Sequence, residues 1–243
     1  QSSFRLGADG TVRFDSTPTT VNSISLRIQS HKTRTVDDNN GIVFFDEVNH
    51  TQAAIAVQKK STSNATSDLV FRTSSGQVVS TLQGIPERMR LTSEGYLTKP
   101  YHPAFKIGIM SQASPNSGVV SENNGFTLKD GSSGDTFRDA FNTGDHFDQA
   151  TGKFTAPVTG VYYFHFSVMR SSSSGSGSMD LRIKKNTGLM LARSYRASYS
   201  TNFASMNVTT ITSMTAGHFV EFILGANMSV YEDDSYMLGY LIG

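Results

Sequence analysis

The chain has no cysteine. That removes any disulfide framework and any thiolate metal site. Secreted animal domains of its size often contain cysteines, so their absence points to folding in a reducing cytoplasm. Charge of one sign is also missing: the formal net charge is +1, which speaks against a general nucleic-acid binder. No apolar run reaches the ~18 residues that a membrane-spanning helix requires, so no membrane insertion is expected. Catalytic patterns are absent as well: no Gly-x-Ser-x-Gly elbow, no phosphate-cradling glycine loop and no His-Glu-x-x-His. The chain is therefore expected not to be an enzyme. It starts at Gln1 without methionine and shows no signal peptide, and reads as a trimmed piece of something longer.

What is present is β structure. Long amphipathic helical patterns are lacking, and short alternating apolar–polar runs take their place. The densest lies in Phe137 to Val168. Val161-Tyr162-Tyr163-Phe164-His165-Phe166-Ser167-Val168 is β-branched and aromatic, with Pro157 and Gly160 punctuating its approach. A strand this apolar on both faces is expected to be buried on both sides, within a sandwich or at a subunit contact. Ala104 to Met110 reads as the first strand of the same region, Ser111 to Gly118 as a loop and Gly125 to Lys129 as a short strand. Asp130 to Asp135 reads as a long turn, and Met206 to Thr212 and His218 to Leu224 as paired strands. Ser171 to Ser178 is a low-complexity hairpin tip or ligand-touching loop.

The stretch FD-x-x-TGKFTAPV-x-GVYYF-x-F, beginning at Phe147, resembles the globular head domain of complement subcomponent one-q, in the tumour-necrosis-factor-like superfamily. So do Leu181 to Asn186 and the closing run Ser235 to Ile242. The resemblance spans roughly residues 104–243. It implies a ten-stranded antiparallel jelly roll that assembles as a tight homotrimer. Phe154, Tyr162, Tyr163, Phe164, Phe166 and Tyr240 would then form its core and trimer contacts. Some family members hold calcium with acidic residues after the Lys-Asn-Gly strand. Here Leu181 to Val220 has neither Asp nor Glu, so no cofactor is expected. The remaining metal candidates are weak: Glu232, Asp233 and Asp234 lack a calcium-loop pattern, and Asp145-His146-Phe147-Asp148 has no ligand spacing. The fold class that the resemblance implies is all-β, an antiparallel jelly-roll β-sandwich preceded by a smaller β-rich fibre domain, homotrimeric.

The first hundred residues read differently. Phe4 to Phe14 alternates around Asp9-Gly10, a hairpin signal. Its phrase Arg5 to Val12 returns as Arg90 to Leu97. Ile24 to Ile28, Gly41 to Phe45, Ala53 to Val57 and Asp68 to Thr73 read as half-buried strands. They fit an ordinary small β-domain. Together with Glu87-Arg88-Met89-Arg90-Leu91-Thr92-Ser93-Glu94-Gly95-Tyr96-Leu97 they also resemble the distal region of bacteriophage tail fibres. One copy buries little apolar surface, which favours a core shared with symmetry mates. Lys99-Pro100-Tyr101-His102-Pro103 is a stiff connector. The expected domains are 1–98 (fibre shaft or collar), 99–103 (linker) and 104–243 (head).

Arg182, Lys184, Lys185, Arg193 and Arg196 interleave with Tyr195, Tyr199 and Phe203. Tyrosine rings stack on sugar faces and arginine pairs bidentately with carboxylate or phosphate. Arg193, Tyr195, Arg196, Tyr199 and Phe203 are therefore candidate ligand-binding residues for an anionic saccharide. The competing reading makes them a trimer contact to Glu122, Asp130, Asp135 or Asp139 of a neighbour. His165 reads as a core or interface imidazole. The sequons at Asn49, Asn64, Asn207 and Asn227 matter only in a eukaryotic secreted protein. The expected role is a phage tail-fibre tip in the virion, adhering to a bacterial surface glycan or outer-membrane receptor and joined to other virion tail proteins through its N-terminal end. The alternatives are a secreted, extracellular complement-like recognition protein, or a purely structural virion fibre or decoration part. A depolymerase is disfavoured for want of clustered carboxylates.

Overall fold

A computed structural model describes residues 3–6, 12–15, 39–45, 50–61, 66–76, 84–112, 116–131, 139–171, 177–199, 203–231 and 234–243. The chain divides into two compact units, Gln1–Pro100 and Tyr101–Gly243.

In the first unit, β1 (Ser3–Leu6) and β2 (Val12–Asp15) form an antiparallel pair. A separate antiparallel sheet runs β3 (Asn39–Phe45), β4 (Thr51–Lys59), β5 (Ser67–Thr73), β6 (Glu87–Leu91) and β7 (Leu97–Thr98) in sequence order. The ends of the repeated phrase pair in the same register twice. Leu6 pairs with Val12 and Arg5 with Arg13; Leu91 pairs with Leu97 and Arg90 with Thr98. In the second copy Gly95 takes a positive φ of 90° and donates to the Thr92 carbonyl, closing the turn. The Asp9-Gly10 turn and the expected strand Ile24 to Ile28 lie outside the described residues.

One face of the larger sheet encloses a charged network. Arg90 donates to Asp68, to Gln58 Oε1 (2.5 Å) and from Nε to Glu87 Oε1 (2.8 Å). Asp68 and Gln58 are directly opposite on β5 and β4, which aims both at the same guanidinium. The hydrogen bond with Glu87 raises the Arg90 pKa, against burial, and Asp68 adds to it.

The second unit is a two-sheet sandwich. Its strands are β8 (Ala104–Gln112), β9 (Asn116–Val119), β10 (Phe126–Lys129), β11 (Phe141–Thr143), β12 (Phe147–Asp148) and β13 (Lys153–Thr155). They continue with β14 (Gly160–Met169), β15 (Gly177–Lys185), β16 (Leu189–Tyr199), β17 (Ser205–Met214), β18 (Phe219–Met228) and β19 (Tyr236–Leu241). Among the described residues one sheet follows β10-β8-β19-β14-β17, with β11 on β8. The other follows β12-β13-β18-β15-β16, with β9 on β18. Two five-strand paths with the chain passing between them make the expected jelly roll.

The core is built by alternation on β14. Tyr162, Phe164, Phe166 and Val168 point inward and are fully buried. Phe105 stacks on Phe154 (4.9 Å between centroids), and Phe164 and Phe222 close around them. Gly239 makes room for this cluster: a Cβ there would lie 2.5 Å from the Phe164 ring. The Tyr162 hydroxyl donates to the Val158 carbonyl (2.8 Å), so the ring is buried with its polar tip satisfied.

Val161, Tyr163, His165 and Ser167 face outward and stay partly accessible, because a single sandwich has only one interior; burial of that side of β14 is left to a subunit contact. Two expectations are corrected. β17 and β18 do not pair with each other. β17 pairs with β14 and β18 with β13, β15 and β9, so the turn after Met214 crosses between sheets. Residues 111–118 are not one loop: β8 continues to Gln112, and Asn116–Val119 adds a short strand. Residues 172–176 of the serine-rich stretch and 132–135 of the expected turn lie outside the described residues.

Candidate functional site

Strand β15 places Met179, Leu181 and Ile183 in the core, so Asp180 and Arg182 project from the outer face of their sheet. The register sets Tyr195 opposite Asp180 and Arg193 opposite Arg182 on the edge strand β16. Four side chains therefore converge on one surface. Arg193 donates from Nε and Nη2 to the two Asp180 oxygens, both at 2.9 Å, a fork-to-fork pair. Arg182 donates from Nε to the same carboxylate at 3.1 Å. The Arg193 guanidinium also lies over the Tyr195 ring, 4.9 Å from its centroid.

Asp180 is almost completely buried beneath the two arginines, and Gly225 gives it the space. Burial by itself would raise the Asp180 carboxyl. Hydrogen bonds from Arg193 and Arg182, and then their charges, outweigh burial and hold it below the usual carboxylate range. The hydrogen bond to Asp180 in turn raises Arg193. Two arginines share one carboxylate, which leaves the surface with a net positive charge. Tyr195 stands beside it, 56 % exposed.

The candidate residues do not all meet. Arg193 and Tyr195 share the outer face. Arg196 is paired opposite the inward-facing Met179, so it leaves β16 on the other side. Phe203 lies at the end of the sandwich remote from Ala104 and meets Tyr231 edge-on at 5.4 Å. The side chain of Tyr199 lies outside the described residues. That remote end is tied by Arg170 N–H to the Ala204 carbonyl and Tyr231 N–H to the Met169 carbonyl. Ser235 adds a hydroxyl bond to the Tyr231 carbonyl. Sequence reasoning missed Asp180, although its signal was present: Asp180-Leu181-Arg182 in a strand puts a carboxylate and a guanidinium on one face.

The opposite sheet shows a different outer face. Tyr163 stacks on Tyr240 at 5.1 Å, beside Ile211, which pairs with Tyr163 and is 61 % exposed. His165 bonds Thr209 Oγ1 (2.8 Å) and leans on Tyr236, and burial lowers its pKa. Phe154, Tyr162, Phe164 and Phe166 are core residues, whereas Tyr163 and Tyr240 lie on this surface.

Among the described residues no three His, Asp or Glu side chains gather as metal ligands would. Asp148 closes a turn, accepting from Ala150 N–H (2.9 Å) and the Thr151 hydroxyl (2.6 Å). Glu232 and Asp233 lie outside the described residues.

A comparison with curated proteins finds no match for the chain. Among solved structures, the globular domain of zebrafish complement 1qA protein is similar at 21 % identity; the match covers 58 % of this chain and 98 % of that one, with a TM-score of 0.39. Residues 122–242 match the family model of the C1q domain, and the second unit has the C1q/tumour-necrosis-factor-like β-sandwich fold.

Proposed function

We propose that the protein is a non-enzymatic recognition protein whose C1q-type head binds an anionic saccharide on the outer sheet. Arg193, Arg182 and Tyr195 form the contact. The observation behind this reading is the Asp180 fork. It fixes two guanidinium groups at a solvent-facing surface, with Tyr195 standing beside them as a stacking platform. An immobilised arginine loses less side-chain freedom when a carboxylate or sulfate docks, and an exposed tyrosine ring offers the apolar face a sugar needs.

The head acts as a homotrimer, joined through the face that bears Val161, Tyr163, Ile211 and Tyr240. Three weak sites on one rigid body then act together. The C1q domain match supports the complement-like, extracellular pattern-recognition reading over that of a phage tail-fibre tip. The fibre reading rests on the wording of Glu87 to Leu97 and on the β-rich first unit.

The test is binding of the full chain to immobilised sulfated or carboxylated polysaccharide against a neutral one, at two salt concentrations. Salt-sensitive binding to the anionic surface alone is expected. Tyr195→Ala and Arg193→Lys should each weaken it about tenfold, as loss of a stacked ring or a bidentate pair does. Equal binding to both surfaces, or variants that bind like the parent, would remove this site from the reading.

A further inference from the structure

The sheet β3-β4-β5-β6-β7 is built inside out for a free-standing domain. Its charged network, Arg90 with Asp68, Glu87 and Gln58, lies on the enclosed face, with Ala54, Ala56 and Val70 almost wholly buried alongside. The opposite face is apolar at its centre, with Lys59, Ser67 and Thr73 towards the strand ends. The register lines up Ile42 with Ile55, Ile55 with Phe71 and Phe71 with Met89 across four strands. A second row runs Val57, Leu69, Leu91 and Leu97. Phe44 extends the face on β3 and is 51 % exposed; Leu97 on β7 is 58 % exposed.

We infer that this face is an interface on which a second copy of the chain seats the same face. The size fits. The six exposed side chains, Ile42, Phe44, Ile55, Val57, Leu91 and Leu97, leave on the order of 500 Å² of apolar surface open. That lies towards the upper end of what soluble monomers leave contiguous, about 300–600 Å². It also approximates the apolar share of a standard contact of ~800 Å² per partner. The chemistry limits the occupant. Neither row contains a charge, and the second ends on β3 at Asn40, so a partner must bring a surface that is equally apolar at its centre. The outer face of the head sheet is mixed, with His165, Thr209, Lys106 and Ser213 among its aromatics. Among the described residues, the surface that matches is the same face of another copy, which makes the contact self-complementary.

The chain lacks cysteine, so a single introduced thiol reports on its own position. Ile55→Cys sits at the centre of the face; Ala150→Cys sits at an exposed loop position in the second unit. Each full-length variant is treated with a short bismaleimide. Cross-linked dimer in most of the Ile55→Cys chains and little in Ala150→Cys is the expected result. It should persist when Ile211→Asp is added to remove the head contact, which separates this inference from the trimer reading. Leu91→Asp serves as a second variant and should abolish the Ile55→Cys product. Two results overturn the inference. One is no cross-link at either position, which would mean that the face is covered by its own chain or by another protein. The other is equal cross-linking at both positions.

Discussion

The carboxylate of Asp180 occupies the space a side chain on Gly225 would fill: a Cβ at 225 would lie 2.2 Å from Asp180 Oδ2. Backbone on β18 thus sets how deep the acid on β15 sits, and the acid sets where Arg193 points. Gly225→Ala should expel the carboxylate from its seat. The expected loss is about 1–3 kcal/mol of stability for the second unit, the usual range for overpacking, read by chemical denaturation. Weaker binding to anionic saccharide should accompany it, because the Arg193 fork would no longer be held. A variant with parental stability and binding would show that the seat is not needed.

The same carboxylate predicts a pH dependence. Its folded pKa is lowered, so its contribution is fully present above the unfolded value of about 3.9 and is lost as pH falls through the folded value. The parent should lose stability on acidification below about pH 4 more steeply than Asp180→Asn, which has no proton to take up there. Thermal unfolding of both across about pH 2.5 to about 6 measures the difference. Parallel curves would show that the arginines do not hold the ionised form.

The strand order of the head was legible only in part. The inward positions Tyr162, Phe164 and Phe166 follow from period-two alternation, and the motif around Gly152-Lys153-Phe154 pointed to the family. The partner of β17 did not follow, because a turn such as Met214 to Gly217 looks the same whether it joins neighbours or crosses between sheets. The proposed binding surface was half visible. Arg193 and Tyr195 were marked by composition, but strand parity sends Arg196 to the other side. Asp180 was passed over because a lone acid beside a basic run looks like an ordinary surface charge until the register sets it under two guanidinium groups.

The Tyr163–Tyr240 stack and Ile211 should govern assembly of the head. Ile211→Asp places a charge where a trimer contact would exclude water, and the full chain should show weaker self-association by sedimentation, with unchanged far-ultraviolet circular dichroism. His165 should make that contact acid-sensitive. Burial lowers its pKa, so it is neutral near pH 7, and its stabilising state is lost as pH falls below the ordinary histidine value of about 6.5. Its neighbours are Thr209, Tyr236 and, on the Tyr236 ring, Lys106, none of which is anionic to hold the proton. His165→Gln should remove the mild-acid component; a variant with the parent's acid sensitivity would assign it elsewhere.

In the first unit the guanidinium of Arg90 answers two carboxylates, Asp68 and Glu87, across adjacent strands. Removing it leaves Asp68 buried without its cation, and breaking such a pair costs about 3–5 kcal/mol. Arg90→Met should therefore destabilise this unit strongly. Adding Asp68→Asn should restore part of the loss, since an uncharged amide is far easier to bury than a carboxylate without a partner. The comparison is a double-mutant cycle by chemical denaturation on the full chain, with the first unit's transition followed separately. Additive losses would mean that Asp68 is stabilised elsewhere, through Ser93 N–H at 3.0 Å for example, and that Arg90 acts on Glu87 alone.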